Sequence, residues 1–172
     1  MRVAILSDIH DNVWKLAAAL EGARTADALL CLGDLCSPFV AHQLGSGFAG
    51  PIHILFGNND GDPFRIASVA RRYPHVTIHA EWFRGDFGGR SFAANHYDNI
   101  GRAVAAGGQF DVVCFGHNHR YEITPMGKTL AINPGAVMGA AFAGDGTRTD
   151  VASTYVIYDT ASGQAERVEV RR

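Results

Sequence analysis

The chain has 172 residues, a length that fits one domain, and its 47% hydrophobic content excludes an intrinsically disordered protein. Its 15 Lys and Arg residues against 17 Asp and Glu residues give a formal net charge of -2. Because no basic stripe is present, we expect no nucleic-acid partner beyond a small nucleotide and no anionic membrane surface. The N-terminal sequence lacks the layout of a signal peptide, and no apolar run approaches the ~18 residues needed to span a membrane. These two features predict a cytoplasmic protein.

The first half of the chain alternates short apolar runs with helical patterns. The apolar runs predict three buried strands, over residues 3–6, 28–32 and 52–56. Asn12 is placed to cap a helix, Pro38 opens a short helical piece, and Pro63 begins a helix that ends near residue 72. The apolar stripe predicted for the first helix consists of Trp14, Leu16, Ala17 and Leu20. This half is therefore built of βαβ units.

The second half has the pattern of antiparallel hairpins. Strand pairs are predicted over residues 81–87 with 90–94, 121–126 with 129–132, and 153–159 with 164–170. A helix over residues 99–106 and a buried strand over 111–115 lie between the first two pairs, and the Gly-, Ala- and Thr-rich segment 139–150 predicts a mobile loop. The mixture predicts an α/β fold: one domain over residues 1–172 with two stacked mixed β-sheets flanked by helices.

Clusters of polar residues follow the ends of the predicted strands. These clusters are Asp8-Ile9-His10, Gly33-Asp34, Gly57-Asn58-Asn59-Asp60, Asn95-His96 and Gly116-His117-Asn118-His119. Loops at the carboxyl ends of strands converge on one crevice in open α/β sheets, so we expect the five clusters to meet. Each cluster alone is typical of a turn or a surface histidine. Together they supply carboxylate, amide and imidazole groups, which are ligands of divalent metals.

In chain order, the motifs Asp-x-His, Gly-Asp, Gly-Asn-x-Asp, His and Gly-His-x-His resemble those of the calcineurin-like metallophosphoesterase superfamily. The chain length and the motif Asn133-Pro134-Gly135 resemble its compact bacterial and archaeal phosphodiesterase branch, to which the retromer subunit Vps29 is related. The resemblance implies two divalent metals bridged by Asp34. The implied ligands are Asp8, His10, Asp34 and His119 for one metal, and Asp34, Asn58, His96 and His117 for the other.

The resemblance also implies a metal-dependent phosphodiesterase, in which a hydroxide bridging the two metals attacks phosphorus in line. Manganese is the expected metal, with zinc, iron, cobalt or nickel as alternatives, because geometry and availability select a metal more than affinity does. Two carboxylates and two divalent ions leave a positive charge that one hydroxide and one phosphodiester monoanion neutralise. The expected partner is therefore a small phosphodiester, while the oligomeric state is not predicted.

The residues closest to the implied chemistry depart from the family pattern at one important position. The implied catalytic residues are Asn59 and Asp60, and the implied substrate-binding residues are Asn58, Asn59 and His96. Many family members carry a histidine where this chain has Asn59, and an amide cannot deliver a proton to the leaving group at neutral pH. We therefore expect a strong dependence on the acidity of the leaving group.

Two alternative functions fit the same motifs. The first is a phosphomonoesterase or nucleotidase that uses the same site, and the second is a non-catalytic interaction scaffold like Vps29. All seven implied ligands are present, which argues against the scaffold because an interaction surface has no need of them. Four further histidines match no motif position and are expected to be structural or on the surface: His42, His53, His75 and His79.

Overall fold

The computed structural model describes residues 1–171 as two main sheets, a two-stranded ribbon and four helices. The strands are β1 (Arg2–Leu6), β2 (Ala28–Cys31), β3 (Ile52–Ile54), β4 (Val76–Ile78), β5 (Trp82–Phe87), β6 (Arg90–Asn95), β7 (Val112–Cys114), β8 (Tyr121–Met126), β9 (Thr129–Pro134), β10 (Ala140–Phe142), β11 (Arg148–Asp150), β12 (Thr154–Asp159) and β13 (Gln164–Glu169). The helices are α1 (Val13–Ala23), α2 (Pro38–Gly47), α3 (Pro63–Ala70) and α4 (Asp98–Ala106).

The first sheet contains the N-terminal βαβ units and the C-terminal hairpin. Its strand order is β13-β12-β1-β2-β3-β4. Strands β1 to β4 are parallel, with α1, α2 and α3 in their connections, and β12 pairs antiparallel with β1. Because β1, β2 and β3 are parallel, their carboxyl ends open at the same edge of the sheet.

The second sheet has the strand order β5-β6-β7-β9-β8. Its three central strands β6, β7 and β9 are parallel, while β5 and β8 pair antiparallel at the two edges. Both sheets are therefore mixed, which confirms the predicted fold class.

The core consists of three apolar layers, which follow from the alternation of side chains along each strand. In β1, Ala4 and Leu6 pack against the layer beneath α1, α2 and α3, whereas Val3 and Ile5 face the second sheet. A third layer lies between the second sheet and α4 and includes Ala105. Both faces of the central strands are thus covered, and their sequences are continuously apolar for that reason. Within residues 1–171, none of the helices has the length and apolar character needed to span a membrane.

The first helix begins as predicted but buries a different stripe. The side chain of Asn12 accepts a hydrogen bond from the backbone N–H of Lys15 at 3.2 Å, which confirms the predicted cap. The predicted stripe is wrong at Trp14 and Ala17, which are exposed. The buried residues of α1 are Leu16, Ala19, Leu20 and Ala23. Their spacing of three and four residues keeps them on one face, and Trp14 lies two positions from Leu16 on the opposite side.

Two short segments differ from the sequence prediction. Residues 139–150, predicted to be a mobile loop, contain the antiparallel ribbon of β10 and β11, in which Ala140 pairs with Asp150 and Phe142 with Arg148. Strand β4 was not predicted, because it has only three residues and lies at a sheet edge where its side chains are half-buried or exposed. Strand β4 pairs with the distant β3, whereas β10 and β11 pair with each other across residues 143–147.

Candidate metal centre

All seven predicted metal ligands lie in loops that follow strand ends. They follow β1, β2 and β3 in the first sheet and β6 and β7 in the second: Asp8, His10, Asp34, Asn58, His96, His117 and His119. Five of them have φ angles between 45° and 70°: Asp8, His10, Asp34, His117 and His119. The left-handed region costs a non-glycine residue roughly 1–2 kcal/mol, and such backbone strain is concentrated at functional sites.

Hydrogen bonds between the loops hold this backbone in place. The N–H of Asp8 donates to the carbonyl of Gly33 at 3.2 Å, and the N–H of His117 donates to Oδ2 of Asp8 at 3.1 Å. The second bond links loops from different sheets. A side chain at Gly116 would overlap the hydroxyl of Ser7, so only glycine allows this close approach.

The first ligand group consists of Asp8, His10, Asp34 and His119, whose ligand atoms all lie within 4.8 Å of one another. Nε2 of His119 is 3.3 Å from Oδ1 of Asp8, and Nε2 of His10 is 3.3 Å from Oδ2 of Asp34. Oδ1 of Asp8 is buried and has no hydrogen-bond partner among residues 1–171. A buried carboxylate oxygen surrounded by imidazole nitrogens fits a bound cation, because a cation would compensate its lost hydration.

The second ligand group consists of Asn58, His96 and His117. Oδ1 of Asn58 is 3.1 Å from Nε2 of His96 and 2.9 Å from Nδ1 of His117. Oδ2 of Asp34 is 3.5 Å from Nε2 of His96 and 3.3 Å from Nε2 of His10. This one carboxylate oxygen therefore lies between the two ligand groups.

Two of the histidines are held in an orientation suited to metal binding. Nδ1 of His96 lies 2.8 Å from the carbonyl oxygen of Leu32, and Nδ1 of His119 lies 2.6 Å from that of Ala140. A carbonyl oxygen only accepts, so in both rings Nδ1 carries the hydrogen and donates. The Nε2 lone pairs then point toward the carboxylates, which is the usual arrangement around metal-binding histidines.

The comparison with known families accounts for this ligand set. The model of the calcineurin-like phosphoesterase superfamily domain matches residues 1–163. The chain belongs to the calcineurin-like phosphoesterase superfamily. It is a metal-dependent phosphoric ester hydrolase of that superfamily, and the clustered carboxylate and imidazole groups are its candidate metal-binding residues.

Relatives of known name span nearly the whole chain. A phosphodiesterase of Methanocaldococcus jannaschii is 25% identical over 143 residues, which cover 81% of this chain and 86% of the relative. The solved structure of an archaeal phosphodiesterase has a TM-score of 0.85 at 22% identity, covering 98% of this chain and 99% of that one. A zinc complex of Vps29 from Entamoeba histolytica has a TM-score of 0.64 at 16% identity, covering 99% and 100%. The structural neighbours establish the shared fold.

The electrostatics of this phosphoesterase site keep Asp8 ionised. Burial alone would raise the pKa of Asp8, but the neighbouring imidazoles of His10 and His119 outweigh burial and hold that pKa well below its usual range. Burial would lower the pKa of His119, yet the carboxylate of Asp8 at 3.3 Å outweighs it, so the pKa of His119 is raised. Protons and metal ions therefore compete for Nε2 of His119.

Asn59, predicted to be catalytic and to bind substrate, lies at the cleft and contacts the shared carboxylate. Its backbone N–H donates to Oδ1 of Asp34 at 2.8 Å, and its side-chain Nδ2 donates to Oδ2 of Asp34 at 2.8 Å. The side-chain amide retains a second hydrogen that can be donated to a substrate oxygen. Asn59 therefore orients Asp34 and leaves one donor available in the cleft.

Asp60, the other predicted catalytic residue, has a structural environment instead. Its carboxylate accepts hydrogen bonds from the backbone N–H groups of four residues at 2.6 to 3.1 Å: Asp34, Leu35, Cys36 and Gly57. Burial raises the pKa of Asp60, although the bonds from Gly57 and Cys36 partly oppose this. Asp60 is absent from the cleft lining. Its carboxylate connects the loop after β2 to the loop after β3, so it positions metal ligands without facing substrate.

The ligand groups line a cleft of about 200 Å³. Its lining residues are His10, Asp34, Asn58, Asn59, His117, Asn118, His119 and Phe142. Sequence analysis did not assign a role to Asn118 or Phe142. Phe142 lies in the segment interpreted as a loop, and a lone aromatic residue there carries no periodic signal. Asn118 lies within the Gly-His-x-His motif, so its proximity to the ligands could have been anticipated.

The Asn-Pro-Gly motif supports the site from behind. The side-chain amide of Asn133 donates to the carbonyl of Gly116 at 3.1 Å and to Oδ1 of Asn118 at 2.9 Å. The N–H of Gly135 donates back to Oδ1 of Asn133 at 3.0 Å. The motif thus fixes the loop that carries His117 and His119.

The four histidines outside the motifs lie away from the cleft, as expected. Nδ1 of His53 is 2.9 Å from Nε2 of His79, and Nε2 of His75 is 3.1 Å from the carbonyl oxygen of Gly45. His42 forms a hydrogen bond with Tyr73. Their contacts are structural.

Proposed function

We propose that this protein is a phosphodiesterase that uses two divalent metal ions, with manganese as its metal in the cell. The observation that carries the proposal is the position of Oδ2 of Asp34, at 3.3 Å from Nε2 of His10 and 3.5 Å from Nε2 of His96. One carboxylate oxygen between two groups of donor atoms is the arrangement needed for a ligand shared by two cations.

The donor set fits the proposed metals. Asp8, His10, Asp34 and His119 would hold the first ion, and Asp34, Asn58, His96 and His117 would hold the second. Carboxylate, amide and imidazole donors suit manganese, and zinc, iron, cobalt or nickel as well. When bound, a pair of such ions activates water as a nucleophile and neutralises charge on the phosphate oxygens.

The proposed substrate is a small phosphodiester. Asp8 and Asp34 are the two carboxylates of the ligand set, so two divalent ions leave a charge suited to a diester monoanion with a hydroxide. The names of two relatives, phosphodiesterases from archaea, point the same way.

Within the cleft, the side chains that remain for the substrate are polar amides and imidazoles. Asn58 and Asn59, which line the cleft, are the proposed contacts of the phosphoryl group. His96, the third residue predicted to bind substrate, is fully buried and does not line the cleft, so it has no such contact in this proposal. Asn59 can donate a hydrogen bond to a phosphate oxygen but cannot protonate a departing alkoxide. Among residues 1–171, Asp34 is the only carboxylate that lines the cleft, and it is the proposed metal bridge. We therefore expect aryl diesters to be hydrolysed faster than alkyl diesters.

The test compares a matched pair of substrates. Metal-stripped protein is reloaded with Mn²⁺, and kcat/KM is measured for bis(4-nitrophenyl) phosphate and for 4-nitrophenyl phosphate. The proposal expects the diester to be preferred. A preference for the monoester would assign the site to a phosphomonoesterase or nucleotidase, and tight metal binding without hydrolysis of either substrate would favour a Vps29-like scaffold.

A further inference from the structure

The ribbon formed by β10 and β11 is attached to the metal centre at its base. Nδ1 of His119 donates to the carbonyl of Ala140 at 2.6 Å, and the N–H of Met138 donates to the carbonyl of Asp8 at 3.0 Å. On the returning strand, the N–H of Val151 donates to the carbonyl of Gly139 at 3.2 Å. The position of the ribbon is therefore set by two of the proposed metal ligands.

Phe142 projects from this ribbon toward the cleft. Ala140 is buried against the site, and side chains two positions apart lie on the same face of a strand, so Phe142 shares the face of Ala140. Its ring lines the cleft, and the centroid is 6.2 Å from that of His119, at an interplanar angle of 78°. The ring is nevertheless 53% exposed.

The lining of the cleft combines polar side chains with a single aromatic ring. Phe142 is the one apolar side chain among the described lining residues, and the others carry carboxylate, amide or imidazole groups. Asn59 contacts Asp34, at the junction of the ligand groups, whereas Phe142 contacts His119 of the first group. A phosphoryl group held by the polar side chains would thus leave the ring of Phe142 available to one ester group.

We propose that Phe142 is a specificity-determining residue that packs against a flat aromatic ring on the retained ester group of the substrate. The leaving group is then the ester group that does not contact Phe142. This inference rests on the proposed phosphodiesterase function and names its substrate class, which is phosphodiesters with an aryl or heterocyclic ring close to phosphorus.

Size and energetics agree with this assignment. A cavity of roughly 150 Å³ can accommodate a benzene ring, so a ring is comparable in size to the cleft of about 200 Å³, whose aromatic wall at Phe142 is half-exposed to solvent. Aromatic pairs at centroid separations of about 4.5–7 Å add to the stabilisation from burial alone. Because the contact is made with a group that does not react, it should strengthen ground-state and transition-state binding equally and lower KM without changing kcat.

The kinetic test uses two diesters with the same leaving group, phenyl 4-nitrophenyl phosphate and methyl 4-nitrophenyl phosphate. The wild-type protein with Mn²⁺ should prefer the phenyl diester. Phe142→Ala should reduce the phenyl-to-methyl ratio of kcat/KM by roughly 3- to 10-fold, through KM, and Phe142→Tyr should preserve the ratio. Phe39→Ala is the matched control, because Phe39 is also 53% exposed but does not line the cleft.

A binding measurement separates this inference from the proposed function. Calorimetry with phenylphosphonate and methylphosphonate should show a phenyl preference in the wild-type, metal-loaded protein that Phe142→Ala removes and Phe39→Ala retains. If the wild-type protein hydrolyses neither diester, the proposed function fails while the phosphonate ratio still decides the role of Phe142. An unchanged phosphonate ratio in Phe142→Ala would overturn the inference, and a changed phosphonate ratio with an unchanged kinetic ratio would overturn the assignment to the retained group.

Discussion

The two ligand groups of the metal centre differ in depth and in charge. Asp8, Asp34 and His119 of the first group are buried, and the group contains two carboxylates. In the second group Asn58 and His117 are exposed, and its one carboxylate is the shared Asp34. Interactions between a cation and a carboxylate are stronger where water is excluded. The first group should therefore bind its metal more tightly, and the second should exchange its metal with solvent more readily.

Under the proposed function, this difference in depth and charge gives the two ligand groups different roles in metal and substrate binding. A deep, charged group suits a metal that remains bound throughout turnover, whereas an open group with an amide ligand leaves room for substrate oxygens. The division depends on Asp34, because this residue is the proposed ligand common to both groups. Substitutions that affect one group, both groups or their connection should therefore have distinct results.

The largest effect is expected from Asp34→Asn. Loss of the shared carboxylate should weaken both metal sites together. It should also reduce kcat/KM for an aryl diester by about 10³-fold, because metal ions stabilise charge in the transition state by several kcal/mol. Metal content by elemental analysis and steady-state kinetics provide the measurement. Asp86→Asn is the matched control and should change neither quantity, because Asp86 lies near the end of β5 and its carboxylate accepts a hydrogen bond from Gly89. Full metal occupancy in Asp34→Asn would contradict the bridging role.

A smaller loss is expected when only one group is altered. His117→Ala should remove the metal of the second group, leave about one metal per chain, and lower kcat/KM by roughly 10²-fold. His119→Ala removes a buried ligand of the first group and should release the more tightly bound ion. Metal titration by calorimetry should resolve a strong and a weak site in the wild-type protein. Equal affinities at the two sites would remove the distinction between the groups.

Asp60→Asn tests the connection between the loops. An amide offers one acceptor oxygen where the carboxylate now accepts four backbone N–H groups, so the free energy of unfolding should fall by about 1–3 kcal/mol. Denaturation of the metal-free variant measures this change without any contribution from metal binding. Asp62→Asn is the control, because Asn caps a helix as well as Asp does and Asp62 caps α3. A variant with wild-type stability but no activity would restore the catalytic role predicted from the sequence.

The smallest effect concerns the pH dependence of stability. Because the pKa of His119 is raised in the fold, its contribution is complete below the ordinary value of 6.5 and is lost as pH rises through the folded-state pKa. The lowered pKa of Asp8 keeps that carboxylate ionised throughout this range. The Tm of metal-free protein should therefore fall as pH rises above 6.5 because of this pair, by the smallest amount among these predictions.

Bound metal should oppose this fall of Tm with rising pH. Deprotonation frees Nε2 of His119 for a cation, so the Tm gained on adding Mn²⁺ should increase as pH rises. Thermal melts with chelator and with Mn²⁺ across the same pH range make the comparison. His119→Gln should abolish the part of the change in Tm with pH that comes from His119 in metal-free protein. An unchanged dependence of Tm on pH in that variant would assign the effect to another group.

Much of the fold could be predicted because the signals are local. Continuous apolar runs identified β1, β2 and β7, and the paired glycines identified the hairpin between β5 and β6. The helical cap at Asn12 was predicted because a capping side chain bonds within three residues of itself. In contrast, β4 depends on β3, a strand more than 20 residues earlier in the chain. The ribbon of β10 and β11 is local, but its short strands show no clear alternation.

The sequence alone determined which donor groups are present and that they follow strand ends, because residue type and position along a strand are local properties. Only the tertiary structure placed Oδ2 of Asp34 between the two groups, directed Asp60 toward backbone amides and brought Phe142 to the cleft. The orientation of each of these loop side chains depends on contacts with residues about 20 or more positions away in the chain. Such long-range contacts form when the two sheets pack together, so the short motifs do not encode them.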